Sequence, residues 1–491
     1  MLAIFFLISF NYNILRSYKD TIIVTASNSG ADALPFIKVW AVLPSAILMT
    51  FFFTRLANRF DREKVFYIVM SLFLGFFLLY AFVLYPARDF LHPNQFADRL
   101  QAILPEGCKG LIAIFRNWTF TLFYIFSELW STTIFSVLFW GFTNEVTKVE
   151  EAKRYYGILG TGGNIAGLFA GSAAILFSGN LFASWIPYGS TPWDRSIFLL
   201  TVALLISGFI TIALFRWLNL RVIRPSEKRE PHAPPPPKVK MSVRQNFLYI
   251  ARSKYLICIA IIVVTYNLAI NLVEIAWKNK MKEMLPHPAD YNSYMGEVMI
   301  IMAIIATVAG FLTTSNLIRK FSWTTCALIT PIIVGSTGIL FFAVLLLQEW
   351  NVPWFASILG ISPLMLSVTL GSFQNCLSRA SKYTVFDATK EISFIPLSPH
   401  SKLKGKAAID GIGSRIGKSG GSLVYQGLLI IFSTIGASSP YVAIIFLGVL
   451  LFWGASILSL GKQFDRLVAE NTTIEVPEDT KLQPALAHNK N

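Results

Sequence analysis

Charge is what this sequence has least of. Asp, Glu, Lys and Arg make up 14% of its 491 residues, where a soluble chain carries about a quarter. Histidine is scarce too, at 5. The 4 cysteines, Cys108, Cys258, Cys326 and Cys376, stand far apart with no CxxC spacing. That excludes a disulfide scaffold and argues against a zinc or redox centre. No nucleophile–His–acid set is legible, and none of the His falls clearly inside an apolar run. No metal site, cofactor or enzymatic activity is therefore expected. What is abundant is apolar: 54% hydrophobic and 14% aromatic residues. The balance excludes a disordered chain and an ordinary soluble enzyme, and implies a polytopic membrane protein. Within the scarce charge, 42 Lys+Arg outnumber 27 Asp+Glu, a net +15.

A membrane-spanning helix needs about 20 mostly apolar residues. That ruler predicts about twelve spans, near 2–27, 35–57, 65–86, 110–146, 157–178, 196–218, 253–280, 295–315, 323–347, 353–381, 407–435 and 438–461. The first starts at Met1, with Arg16, Lys19 and Asp20 beyond its apolar stretch and no small-residue cleavage site after it, unlike a signal peptide. Lys and Arg crowd the even-numbered loops: Asn58 to Lys64, Lys148 to Arg154, 219–252 and Arg319-Lys320. Both termini are therefore expected in the cytoplasm.

The chain reads as two six-span halves, 1–218 and 253–462. A basic, proline-rich cytoplasmic linker over 219–252 joins them, and a polar tail expected to be disordered covers 463–491. The halves look like repeats. Gly163, Gly167 and Gly171 in span 5 match Gly413, Gly417 and Gly421 in span 11. Tyr12-Asn13-Ile14 precedes Asp20 in span 1 as Tyr266-Asn267-Leu268 precedes Glu274 in span 7. Two parallel six-helix halves are the plan of the major facilitator superfamily, so the expected fold class is an all-α, major facilitator-like bundle. The basic loop Leu56 to Lys64 loosely resembles that superfamily's loop between spans 2 and 3.

Ionisable residues inside spans are costly and default to functional hypotheses. Here they gather in spans 1, 4, 7, 10 and 11: Arg16, Lys19 and Asp20; Arg116, Glu128 and Glu145; Glu274 and Lys278; Arg379 and Lys382; Asp410, Arg415 and Lys418. Arg116, Glu145 and Arg379 read as anchors near span ends. Lys19, Glu128, Glu274 and Lys382 fall on spans that line the central cavity in the facilitator plan and read as functional. Several cations among a few carboxylates suit an anionic substrate, since phosphate is held by Arg forks and Lys point charges. The carboxylates can hold those cations when the site is empty, or carry a proton. Tyr12 and Trp130 are candidates for stacking a base, with helix packing the competing reading.

Two motifs fail on inspection. Gly413-Ser414-Arg415-Ile416-Gly417-Lys418-Ser419 looks like a phosphate-binding loop, but Ile412 stands where the leading Gly belongs. Gly160-Thr161-Gly162-Gly163 follows no strand and is no dinucleotide fingerprint. The glycines instead read as small-xxx-small packing stripes.

Longer stretches carry a resemblance: Leu15-Arg16-Ser17-Tyr18-Lys19-Asp20-Thr21, Pro35-Phe36-Ile37-Lys38-Val39-Trp40, Ser127-Glu128-Leu129-Trp130, Phe139-Trp140-Gly141-Phe142-Thr143-Asn144-Glu145, Asn271-Leu272-Val273-Glu274 with Trp277-Lys278, Lys382 to Glu391, Lys404 to Asp410 and Gly417 to Ser422. Over nearly its whole length the chain resembles the bacterial and plastidic ATP/ADP translocases. The resemblance implies a twelve-span carrier in the inner membrane of an intracellular bacterium. It would move ATP, ADP or other nucleoside triphosphates by alternating access, leading with counter-exchange for ADP, with the lipid bilayer as its medium and no nucleic-acid partner. The family's charged functional positions match Lys19, Glu128, Glu274 and Lys382; Arg16, Asp20, Lys278, Arg415 and Lys418 extend that set. Ser17-Tyr18 between Arg16 and Lys19, and Gly157 after Tyr155-Tyr156, depart from many exchangers. Both departures lean slightly towards the family's proton-coupled importers, the alternative reading, in which a proton is co-transported. A carrier of another organic anion, such as NAD or a sugar phosphate, is a further alternative.

Overall fold

The structure is a computed structural model and describes residues 1–146, 149–179, 188–223, 248–313, 320–349, 360–409 and 414–470. Most of the linker and the tail after 470 lie outside them. Among the described residues the chain is helical, without a strand. Each expected span meets a helix: α1 (Leu2–Val24), α2 (Ala33–Arg59), α3 (Arg62–Leu84), α4 (Trp118–Thr143), α5 (Val149–Ser178), α6 (Pro192–Val222), α7 (Lys254–Met284), α8 (Pro288–Thr313), α9 (Trp323–Glu349), α10 (Pro363–Ser381), α11 (Ser414–Phe432) and α12 (Ile435–Ala469). Successive crossings bring Met1 and Ala469 to one end of the bundle, here the terminal end; the other is the far end.

Eight of these helices are apolar and long enough to cross a membrane on composition alone. Of the other four, α1 and α10 carry Ser, Asn and charged residues that dilute the apolar run, while the described side chains of α5 and α11 form shorter apolar stretches, Gly162–Ser178 and Ser419–Phe432. Helix α1 can be polar because neighbours shield it from lipid: it is buried almost continuously from Asn11 to Val24.

Several boundaries differ from expectation: α5 begins at Val149 rather than near 157, α10 at Pro363 rather than near 353, and α12 stays helical to Ala469, into the expected disordered tail. The fourth crossing begins at Trp118, not near 110, because Asn117 leaves helical geometry (φ −102°, ψ 48°) and ends a separate helix, Lys109–Arg116. Arg116 then lies in the far-end connection, where its guanidinium meets Asp98 at 2.6 Å and Gln101 at 3.2 Å. Arg116 thus lies away from the central ion run, near a helix end as its position implied.

The glycine stripes pack as their spacing predicts. In α5, a Cβ added at Gly163 would meet Phe5 of α1 and one at Gly167 would lie near Asn13 of α1; one at Gly171 would stand 2.6 Å from the carbonyl oxygen of Gly296 in α8. In α11, a Cβ at Gly417 would meet Asn267 and the Val264 carbonyl oxygen of α7, and one at Gly421 would meet Leu268 and Asn271. The repeat therefore extends to contacts. Asn13 opposite Gly167 corresponds to Asn267 opposite Gly417, and each Asn donates back one turn along its own helix, to Ser9 (2.9 Å) and to Val263 (2.8 Å).

Hydrogen bonds between the halves cluster towards the far end. Asn292 of α8 accepts from Ser17 of α1 (2.8 Å) and donates to Ser178 of α5 (3.0 Å). Gln426 of α11 donates to the Pro35 carbonyl (2.9 Å) and accepts from Trp40 of α2 (3.1 Å). Lys282 donates to the Ser29 carbonyl. By contrast, the terminal-end stretch of α2, Leu43–Arg59, holds no buried residue.

Candidate functional site

Arg16 and Lys19 follow Tyr12 on one face of α1, at the four- and three-residue steps that align side chains on a helix. Asp20 lies beside Lys19. Helices α4, α7 and α10 converge on this face, and the charges join into one run of alternating sign. Glu128 of α4 meets Lys19 at 3.0 Å, and Lys19 meets Asp20 at 3.3 Å. Asp20 meets Lys278 of α7 at 2.8 Å, Lys278 meets Glu274 at 2.8 Å, and Glu274 meets Arg379 of α10 at 3.2 Å. The Lys19 ammonium also stands over the Tyr124 ring, 4.1 Å from its centroid, and Arg379 is held by Asn375 at 2.8 Å.

Exposure grades along this run. Asp20 and Lys278, the joint between the halves, are 2% exposed, while Glu128 and Arg379 at the ends are 31% and 16% exposed. Burying charges costs several kcal/mol per ion unless each is paired. Alternation meets that cost at the joint, where each cation has a carboxylate on either side.

Around the run stand cations with looser company. Arg16 is half-buried, with Glu274, Tyr12 and Tyr383 in electrostatic range and no hydrogen bond or ion pair among the described residues. Lys38 of α2 donates to the neutral Asn271 side chain of α7 at 3.4 Å and also lies in range of Glu274. Lys382 opens the π-helical continuation of α10, Lys382–Phe386; it stands 3.6 Å from Asp387 and 4.8 Å from the centre of the Tyr383 ring, with Tyr12 in range. With the run itself, Arg16 and Lys38 bring five cations against three carboxylates, an excess that favours an anion.

The structure thus gathers Lys19, Glu128, Glu274, Asp20 and Lys278, with Arg16 and Lys382 beside them. It corrects two readings. Arg379, read as an interfacial anchor, is a member of the run, because α10 turns it onto Glu274 of α7. Trp130, a stacking candidate, is fully buried: its indole donates to the Ile8 carbonyl at 3.3 Å and packs against Phe73 and Phe77, leaving no face for a base. Tyr12 is half-buried, against Phe135. Asp410 and the side chains of Glu145, Arg415 and Lys418 lie outside the described residues. Lys38 was missed: a single Lys near the start of an apolar span has no periodic partner to distinguish it from an interface anchor.

With this arrangement in view, comparison with known proteins is specific. The family model for the TLC ATP/ADP transporter matches residues 1–464. The chain belongs to the TLC ATP/ADP transporter family. It is 44% identical to ADP,ATP carrier protein 1 of Chlamydia pneumoniae over 94% of this chain and 90% of that one. It is 38% identical to ADP,ATP carrier protein 2, chloroplastic, of Arabidopsis thaliana, over 95% of this chain and 74% of that one. Among solved structures, a bacterial homologue of the iron transporter ferroportin matches in an inward-facing state (TM-score 0.55, 12% identity, 94% of this chain and 97% of that one) and in an outward-facing state (TM-score 0.52, 13% identity, 94% and 100%). At that identity the likeness is one of fold: this transporter is a multi-pass membrane protein with a major facilitator-like fold.

Proposed function

We propose that this transporter imports ATP in counter-exchange for ADP, by alternating access to a central site between its halves. The observation that carries the reading is the ion run crossing α4, α1, α7 and α10. It links the halves through one buried pair, Asp20–Lys278, with cations of incomplete pairing, Arg16 and Lys382, close by. A polyphosphate entering there meets Arg16 and Lys382 first. It then competes with Asp20 and Glu274 for Lys278, and with Asp20 and Glu128 for Lys19. Drawing those lysines away loosens the joint and lets the far end part. A charged run of this kind needs an anion to replace its carboxylates, which ties opening to occupancy and favours exchange over leak. The Chlamydia pneumoniae and Arabidopsis thaliana relatives, named as ADP,ATP carriers, support the same substrates. Lys and Arg in the terminal-end loops support an orientation with both termini in the cytoplasm of a bacterial inner membrane. The closed far end then faces outward.

The test is uptake of labelled ATP into proteoliposomes loaded with ADP or left empty, with and without an inward proton gradient. Exchange predicts uptake that requires internal ADP and ignores the gradient. Uptake into empty vesicles driven by the gradient replaces exchange with proton symport. No uptake of labelled ATP under any of these conditions, with uptake of labelled NAD or a labelled sugar phosphate instead, replaces ATP as the substrate.

A further inference from the structure

Three of the cations in the central site already have carboxylates in contact. Lys19 has Asp20 and Glu128, Lys278 has Asp20 and Glu274, and Arg379 has Glu274, all at 2.8–3.3 Å. A phosphate that binds these three competes with a carboxylate already in contact. Lys38 differs. Its sole hydrogen-bond partner among the described residues is the Asn271 amide oxygen, neutral and distant at 3.4 Å, although Glu274 lies in electrostatic range. The residue is half-buried, so part of its desolvation cost is already met while its ammonium keeps bonding capacity open.

Its place in the fold differs as well. Lys38 comes from α2, outside the set that carries the ion run. It sits in a π-helical segment, Ile37–Val42, which interrupts α2 between the buried turn Ala33–Phe36 and the exposed remainder. Such segments widen a helix by one residue and often mark functional sites. The same stretch of α2 is clasped by Gln426 of α11 through Pro35 and Trp40, so Lys38 rides on the far-end closure between the halves.

We propose, on the nucleotide reading above, that Lys38 is a phosphate-binding residue supplied by the closure helix α2. Together with Arg16 it takes the terminal phosphate of a bound nucleoside polyphosphate and so selects against monophosphates. Phosphate in that position would replace Asn271 as the acceptor, joining α2 to the substrate.

The experiment measures inhibition of labelled ATP uptake by unlabelled ATP, ADP and AMP in proteoliposomes, for wild type, Lys38→Gln and Lys38→Arg. Loss of a charge-assisted hydrogen bond predicts that Lys38→Gln weakens ATP by about tenfold or more. AMP should change by less than about twofold, and Lys38→Arg should recover most of the ATP affinity. Equal weakening of all three nucleotides, or none, overturns the role of Lys38. If Lys38→Gln gives no uptake at all, direct binding of ATP and AMP to the purified variant decides by the same ratio. Wild-type protein that neither takes up nor binds any of the three overturns the nucleotide reading itself, a separate failure.

Discussion

The two halves share a backbone plan and differ in charge. Helix α1 corresponds to α7 and α4 to α10, in the register set by Tyr12 and Tyr266. Asp20 and Glu274 fall in that register with the same sign, and both contact Lys278. Glu128 and Lys382 fall in it with opposite signs. Each stands at the point where its helix loosens into a π-helical segment, Trp130–Trp140 and Lys382–Phe386. Glu128 is tied inward to Lys19, whereas Lys382 is paired loosely with Asp387. The repeat thus supplies a symmetric frame, and the charge carried on that frame is not symmetric. One half presents a carboxylate to hold a cation, and the other presents a cation with room for an anion.

The joint is the most sensitive place to break this comparison. Asp20→Asn or Lys278→Met alone should destabilise the transporter by about 3–5 kcal/mol, because each leaves charge buried without its partner. The double variant should regain much of that loss while staying inactive. Thermal unfolding in detergent checks it; single variants that melt with wild type would show that the joint bears no strain on pairing. The glycine stripes sharpen the symmetry of the frame. Gly417→Ala places a Cβ 2.7 Å from Cβ of Asn267 and 2.9 Å from the Val264 carbonyl oxygen, atoms that cannot swing away. It should cost about 1–3 kcal/mol. Gly163→Ala meets a Phe5 ring edge at 3.0 Å, which can turn, and should cost less in the same melt. Smallest in stability, but direct for function, is the Glu128 and Lys382 pair. Lys382→Ala should raise the ATP concentration for half-maximal uptake by about tenfold, the worth of one charge-assisted contact. The exchange Glu128→Lys with Lys382→Glu should not restore uptake, since Lys19 would then face a cation. Recovery by that double variant would mean that only net charge matters.

Much of the frame was legible because membranes impose a simple physics: apolar length marks a span. Yet that signal is weakest for α1 and α10, where Asn, Ser and charged residues interrupt it. The same ruler of apolar length still found both helices. The start of α4 was misjudged because Lys109–Arg116 is apolar enough to read as continuous with it, and one residue, Asn117, makes the break. In the site, Lys19, Glu128, Glu274 and Lys278 were legible because an ion inside a span is expensive. Arg379 was not, because its distance from the end of a span cannot be counted when the span's limits are uncertain. Lys38 was not, because its significance depends on which helix faces it.

The sequence by itself determined the number of crossings and the duplication of the frame, since these follow from local composition and spacing. Only the tertiary structure decided the pairing. Whether a buried lysine is neutralised or left open to a phosphate depends on distances of a few ångströms between helices far apart in the chain. Coulombic attraction and desolvation both change steeply over that range.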